Sequence, residues 1–255
     1  MEKELIISLI TVVGAILGSF TTMLIHRLHF DEDGIIAGRS RCPKCRKNLK
    51  FWNLIPILSW VFQRGKCSNC KEKIPFSYPI IELTFLLTFF FFAQKFYGQV
   101  ELIPLLIVVF FSLVLFYYDL LFYEVDDRII FPAIFLAVIW AFFREIPWYA
   151  FLLGASVGFA FYAFQYYASK GRWVGAGDMR LGFFMGIVLG VEKLLFALLV
   201  AYAVGSLVAI LLILFKKFTR KSILPMGAFL MPSTILFLYV GVEIINLYWE
   251  ILVSI

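Results

Sequence analysis

Eight apolar stretches, at about 5–25, 79–97, 102–118, 129–143, 149–168, 179–191, 194–215 and 228–249, occupy most of this 255-residue chain. A bilayer core of about 30 Å takes about 20 helical residues to cross, and backbone groups inside it find partners only in helices or closed barrels. Hydrophobic residues make up 62% and charged residues 16% of the chain, against about 45–50% apolar in soluble domains. The expected fold is therefore all-α, a polytopic transmembrane helical bundle of about eight spans. The fourth and sixth stretches are short, which fits tilted, shielded or partly re-entrant helices. Glu2, Lys3 and Glu4 lead into an apolar run through Ile25 with no small-residue cleavage signature. This first segment reads as a retained helix.

The net charge of +6 does not point to nucleic acid, because the cations gather in loops between apolar stretches. Between 28 and 78 lie Arg39, Arg41, Lys44, Arg46, Lys47, Lys50, Arg64, Lys66, Lys71 and Lys73, against Asp31, Glu32, Asp33 and Glu72. By the positive-inside rule this loop is cytoplasmic. Alternation then places Arg128, the Lys170/Arg172/Arg180 group and the Lys216/Lys217/Arg220/Lys221 group on the same side, with both termini outside. The chain divides into a first transmembrane helix (1–27), a cytoplasmic cysteine-bearing module (28–78) and a membrane-embedded core (79–255). Within the module the apolar patch 51–60 is too short to span and is expected on the membrane surface or against the helices. Gly182, Gly186 and Gly190 recur every fourth residue, either a smooth stripe for a neighbouring helix or the ordinary glycine of membrane helices.

The four cysteines form Cys42-Pro43-Lys44-Cys45 and Cys67-Ser68-Asn69-Cys70. Two-residue spacing lets both sulfurs of a turn face one ion, and four thiolates close a tetrahedral zinc site with no open position, which makes it structural. Lys44, Arg46, Lys66 and Lys71 would offset its negative charge. Disulfides or free thiols and an iron–sulfur cluster are the alternatives, disulfides being disfavoured by a reducing cytoplasm.

Asp119 and Asp178 stand at the edges of apolar stretches, the second inside Gly175-Ala176-Gly177-Asp178. An acid there costs about 2.5–3.5 kcal/mol on insertion scales and marks function when it faces a partner or a water-filled cavity. Two carboxyls sharing a site cannot both ionise cheaply, so one serves as base and the other as acid. Such a pair hydrolyses peptides without a covalent intermediate. Gly175 and Gly177 let an extended substrate approach the backbone. The competing reading is a pair of interfacial aspartates, solvated or paired with Arg128 and Arg180. Glu82, near the start of the second span, divides between a helix-end role and a site role. His26 and Arg27 mark the membrane interface.

Taken in order, these residues resemble the prepilin peptidase family of GxGD-type intramembrane aspartic proteases. The resemblance runs through Gly18-Ser19-Phe20 and His26-Arg27-Leu28; then Cys42 and Cys45, Asn53-Leu54-Ile55-Pro56, Gly65-Lys66-Cys67 with Cys70, Tyr78-Pro79 and Glu82. It continues through Asp119, eight residues before Asp127, then Gly175-Ala176-Gly177-Asp178 and Pro225-Met226-Gly227. Three positions depart from it: Val125-Asp126-Asp127 lacks a proline, Arg180 stands where lysine is common, and Thr22 where asparagine is frequent. The first leaves Asp126 and Asp127 as local competitors for the catalytic assignment, although spacing favours Asp119.

The resemblance implies catalysis by Asp119 and Asp178 on type IV prepilins or pseudopilins at the bacterial inner membrane, with removal of a short basic leader. It also implies S-adenosylmethionine-dependent N-methylation of the new terminus, an activity associated with the cysteine loop. Asp126, Asp127 and Glu82 are candidates to receive the basic leader, with Gly175 and Gly177 along the substrate path. Two readings compete: a peptidase without methyl transfer, and a non-enzymatic transporter or scaffold. A transporter would carry its acids near the bilayer midplane on broken helices.

Overall fold

A computed structural model describes residues 1–31, 38–144, 147–216, 222 and 224–253. Glu32 and Asp33 of the loop, and Lys217, Arg220 and Lys221 before the last helix, lie outside the described residues. Among the described residues the architecture is helical throughout: α1 (Glu2–His29), a 3-10 turn (Phe51–Leu54), α2 (Leu58–Phe62), α3 (Ser77–Lys95), α4 (Leu102–Phe122), α5 (Asp127–Phe143), α6 (Trp148–Ser169), α7 (Ala176–Leu214) and α8 (Gly227–Val253). Two isolated antiparallel bridges, Arg41 with Asn48 and Lys66 with Lys73, belong to the cysteine loop. The helices form two compact units, 1–106 and 107–255.

Six helices, α1, α3, α4, α6, α7 and α8, are long and apolar enough to cross a membrane. The fourth apolar stretch of the sequence is α5, at 17 residues the shortest of the long helices. The sixth and seventh are both carried by α7, a run of 39 residues broken at Gly190, whose φ of 71° and ψ of 175° leave the helical region. Only glycine adopts that conformation without strain. The chain turns back there. A Cβ placed on Gly158 of α6 would strike the Gly182 carbonyl and also come 3.3 Å from Leu194 Cδ2. Along a straight helix those two residues, 194 − 182 = 12 apart, would be separated by about 18 Å. The arms 176–189 and 191–214 therefore form a helical hairpin, and all eight apolar stretches lie on helices. The first arm, about 21 Å long at helical rise, is shorter than the hydrocarbon core.

Packing within unit two follows from small residues, as expected where lipid removes the hydrophobic drive between helices. Gly154 and Gly158 of α6 face Gly186 and Gly182 of the first arm so closely that a Cβ on any of the four would strike the opposite backbone. The glycine stripe thus serves helix contact at Gly182 and Gly186, while Gly190 makes the reversal. The hairpin's second arm runs alongside α6, with the Tyr202 hydroxyl donating to Gln165 Oε1 at 3.0 Å. It runs antiparallel to α8, whose Ser233 hydroxyl donates to the Ala197 carbonyl at 2.6 Å and whose Gly241 faces Lys193. Arg180 of the first arm pairs with Asp127 at the start of α5, and Arg144 after the end of α5 donates to the Val188 carbonyl. The end of α4 and the starts of α5, α7 and α8 consequently share one end of unit two.

In unit one α1 and α3 pack antiparallel through Gly14, where a Cβ would come 2.6 Å from Phe89 Cβ, and Gly18, where it would come 2.8 Å from Glu82 Cα. Phe85, Phe89 and Phe92 of α3 are buried, while Leu5, Leu9, Val12 and Ile16 of α1 are exposed. The cysteine loop joins the end of α1 to the start of α3.

Candidate active site

Asp119 lies near the end of α4 and Asp178 in the first turn of α7, 178 − 119 = 59 residues apart, yet both stand at the same end of unit two. Their exposures of 5% and 8% remove them from the class of solvated interfacial acids. Each carboxylate is held by a helix N-terminus, where unpaired N–H groups and the helix dipole favour an anion. Asp119 Oδ2 accepts the Ala228 N–H at 2.9 Å. Gly227 lies against the same oxygen, and a Cβ there would come 2.8 Å from it. Asp178 Oδ2 accepts the Gly175 N–H at 2.8 Å, the reciprocal half of a capping box on its own helix. Gly227 bridges the two helix ends: the Cβ that would meet Asp119 Oδ2 would also come 3.0 Å from Leu181 Cδ1, one turn beyond Asp178, and two buried acids brought to one region can divide the roles of base and acid.

The arginines expected as rival partners go elsewhere. Arg128 donates to Asp126 at 2.6 Å, and Asp126 also caps α5 by accepting the Arg128 N–H at 2.7 Å. Burial pushes the Asp126 carboxyl up, but hydrogen bonds from Arg128 and its charge outweigh burial and hold it below the usual carboxylate range. Tyr118 donates its hydroxyl to Asp126 at 3.1 Å. Asp127, the outward-facing member, pairs with Arg180, whose guanidinium also lies over the Phe131 ring at 5.7 Å. Gly175 has an extended backbone with φ of −80° and contributes its N–H to Asp178. Gly177 makes room for Val125, whose Cβ would be 2.8 Å from an added Cβ.

Glu82 is placed in unit one. Its Oε2 accepts the Ile57 N–H at 2.6 Å, and Ser19 also hydrogen-bonds to it. Ile57 has a φ of 62°, rare for a β-branched residue, so Glu82 pins a strained point of the loop between the 3-10 turn and α2.

The cysteine loop is two copies of one turn. Arg46 N–H donates to the Cys42 carbonyl at 2.9 Å and Lys71 N–H to the Cys67 carbonyl at 3.0 Å. Arg46 and Lys71, at the same place in each copy, both have positive φ. Lys44 of the first copy pairs with Glu72 of the second, a hydrogen bond that raises the lysine's pKa. All four thiols are free of disulfides, and their sulfurs lie within 4.8 Å of one another. A tetrahedral ion with sulfur ligands at about 2.3 Å sets neighbouring sulfurs about 3.8 Å apart. Cys42 Sγ and Cys70 Sγ are 3.8 Å apart. The Cys70 backbone N–H draws the Cys67 thiol down to about 7, against the opposing effect of burial. The four cysteines could hold a metal ion.

Sequence reasoning singled out the acids and cysteines as candidates but did not name the donor to Asp119. Its signal was Pro225-Met226-Gly227, immediately before Ala228, a motif noticed without a role. Tyr118, which ties the end of α4 to Asp126, was missed as well.

Two family models match the chain: "Bacterial Peptidase A24 N-terminal domain" over residues 12–96 and "Type IV leader peptidase family" over residues 106–210. Among curated proteins, the prepilin leader peptidase/N-methyltransferase of Bacillus subtilis (strain 168) is 36% identical over 245 residues, covering 95% of this chain and 97% of the relative. A protein of the same name from Myxococcus xanthus is 33% identical, covering 80% of this chain and 62% of the relative. Another, from Vibrio cholerae, is 31% identical over 72% of this chain and 78% of its own length. No solved structure matches the chain.

Proposed function

Since the chain belongs to the type IV leader peptidase family, we propose that it is a multi-pass membrane aspartic endopeptidase. It removes the basic leader of type IV prepilins or pseudopilins and methylates the new N-terminal amine. The observation that carries this reading is the placement of buried Asp119 and Asp178 at one end of unit two, each on a helix N-terminus. One carboxylate takes a proton from water and the hydroxide formed attacks the scissile carbonyl. The other acid protonates the carbonyl oxygen and, as the tetrahedral intermediate collapses and the C–N bond breaks, the proton reaches the departing amine. Acids at helix ends also speak against the transporter alternative, which would keep them at mid-span.

The cysteine loop and the acids face the cytoplasm of a bacterial inner-membrane protein, by the basic charge of the loop and alternation of the spans. There the acids meet a membrane-anchored substrate at the end of its helix. Asp127 receives a basic leader side chain by exchange with Arg180, and Gly175 and Gly177 flank the extended segment. Glu82 serves the loop through Ile57. Cys42, Cys45, Cys67 and Cys70 hold structural zinc, whose sulfur spacing their arrangement fits, and S-adenosylmethionine supplies the methyl group.

The test is purified protein in lipid with a prepilin, read by mass spectrometry with and without S-adenosylmethionine. Leader loss followed by a 14-dalton gain is expected; leader loss alone selects a peptidase without methyl transfer. Cleavage that survives both Asp119→Ala and Asp178→Ala would remove the aspartate pair from the mechanism.

A further inference from the structure

The turn between α4 and α5 reaches the chain neighbours of both acids. On one side, Tyr118 precedes Asp119 near the end of α4 and is buried. Its hydroxyl lies between two carboxylates of the turn, 3.1 Å from Asp126 Oδ2 and 3.3 Å from Glu124 Oε1. On the other side, Val125 packs against Gly177, the residue before Asp178, so closely that a Cβ on the glycine would come 2.8 Å from Val125 Cβ. The turn is anchored in its own right. Asp126 caps α5 by accepting the Arg128 N–H at 2.7 Å and pairs with the Arg128 guanidinium at 2.6 Å.

Asp119 sits where α4 is about to leave its helical path: the Tyr123 N–H closes on the Asp119 carbonyl at 2.8 Å, and Tyr123 has a φ of 60°. The last turn of a helix frays where nothing outside holds it. Successive helical residues project about 100° apart, so fixing the far end of the Tyr118 side chain sets the rotation of that turn, and with it the direction of the Asp119 carboxyl. Phenylalanine would fill the ring's space without this hold. We propose that Tyr118 is a positioning residue for leader cleavage: its hydroxyl, held by Asp126 and Glu124, aligns Asp119, while Val125 of the same turn seats the start of the helix that carries Asp178. This rests on the reading that the aspartate pair cleaves the leader.

The decisive variant is Tyr118→Phe, which keeps the ring and removes one oxygen. Assayed in lipid well below its thermal midpoint, where all of it is folded, it should lose roughly 10- to 100-fold in kcat for leader cleavage, the scale on which misplacing a reacting group acts. KM should hold. A purely structural hydroxyl would lower the midpoint yet leave kcat of the folded protein within about threefold of wild type, and that result overturns the proposal. So does a rise in KM with kcat intact, which would put the hydroxyl on the substrate. The acceptors supply a second check. In a Glu124→Ala/Asp126→Ala background the hydroxyl has lost both carboxylates, and adding Tyr118→Phe should cost less than about threefold more; a further loss of about tenfold means that the hydroxyl acts elsewhere and overturns the proposal. Asp119→Asn separates the two levels. If it still cleaves, the proposed function fails; if it is inactive while Tyr118→Phe is fully active, only the role of Tyr118 fails.

Discussion

The cysteine loop and the aspartate site are built by opposite means. Each half of the loop is a turn of a few residues whose backbone closes on itself, Arg46 to Cys42 and Lys71 to Cys67, and the halves are joined by a connection that carries the 3-10 turn and α2. The aspartate site is local only in the cap that Gly175 gives Asp178: Asp119 takes its hydrogen bond from Ala228, 109 residues away, and the two acids stand on different helices. One centre depends on local geometry and ligand chemistry, the other on helix packing. Their failure modes should therefore be separable.

The largest separation is expected from the acids. Asp119→Asn or Asp178→Asn should lower leader cleavage at least about 10³-fold, since acid and base roles contribute about 10²–10⁴ each, while leaving the metal content of the purified protein unchanged. Elemental analysis beside the cleavage assay checks both halves, and a parallel loss of metal would show the two centres to be coupled. The converse variant, Cys42→Ser with Cys67→Ser, should abolish metal binding and expose the loop to proteases, yet keep leader cleavage within about tenfold of wild type, because structural metal energy is folding energy of its own module.

A smaller effect is expected from the packing that carries Asp178. Replacing Gly158 by Ala puts a methyl into the Gly182 carbonyl, an overpacking cost of about 1–3 kcal/mol. Thermal unfolding and cleavage should both suffer while metal content holds. Retention of wild-type stability would mean that α6 and the first arm can separate without harm. The smallest effect belongs to Asp126→Ala, which removes the cap of α5 at about 0.5–2 kcal/mol. Because the folded Asp126 carboxyl lies below its usual range, its stabilisation is complete at neutral pH and is lost as pH falls through that lowered value. Wild type and variant should converge in acid denaturation.

Much of this was readable beforehand because its signals are local. Apolar runs marked all eight helical stretches, Cys-x-x-Cys spacing marked the four thiols, and position at span edges marked Asp119 and Asp178. The shortness of the sixth stretch was also visible, though not its cause, a hairpin folded at Gly190. The arginines illustrate the limit. Arg128 and Arg180 were equally plausible partners for Asp119 and Asp178 by charge, and packing gave them to Asp126 and Asp127 instead. Glu82 shows the same limit, since nothing nearby in the chain announced that it would pin Ile57.

By itself, the sequence determined an all-helical membrane chain with a tetracysteine loop and two acids at span edges, because hydrophobic run length and ligand spacing are properties of neighbouring residues. Tertiary structure alone decided that Asp119 rests on the start of α8, and that Gly182 and Gly186 contact α6 while Gly190 reverses the chain. The donors and surfaces involved are backbone N–H groups and absent side chains, common to every residue or to every glycine. Their partners are chosen only when the helices pack.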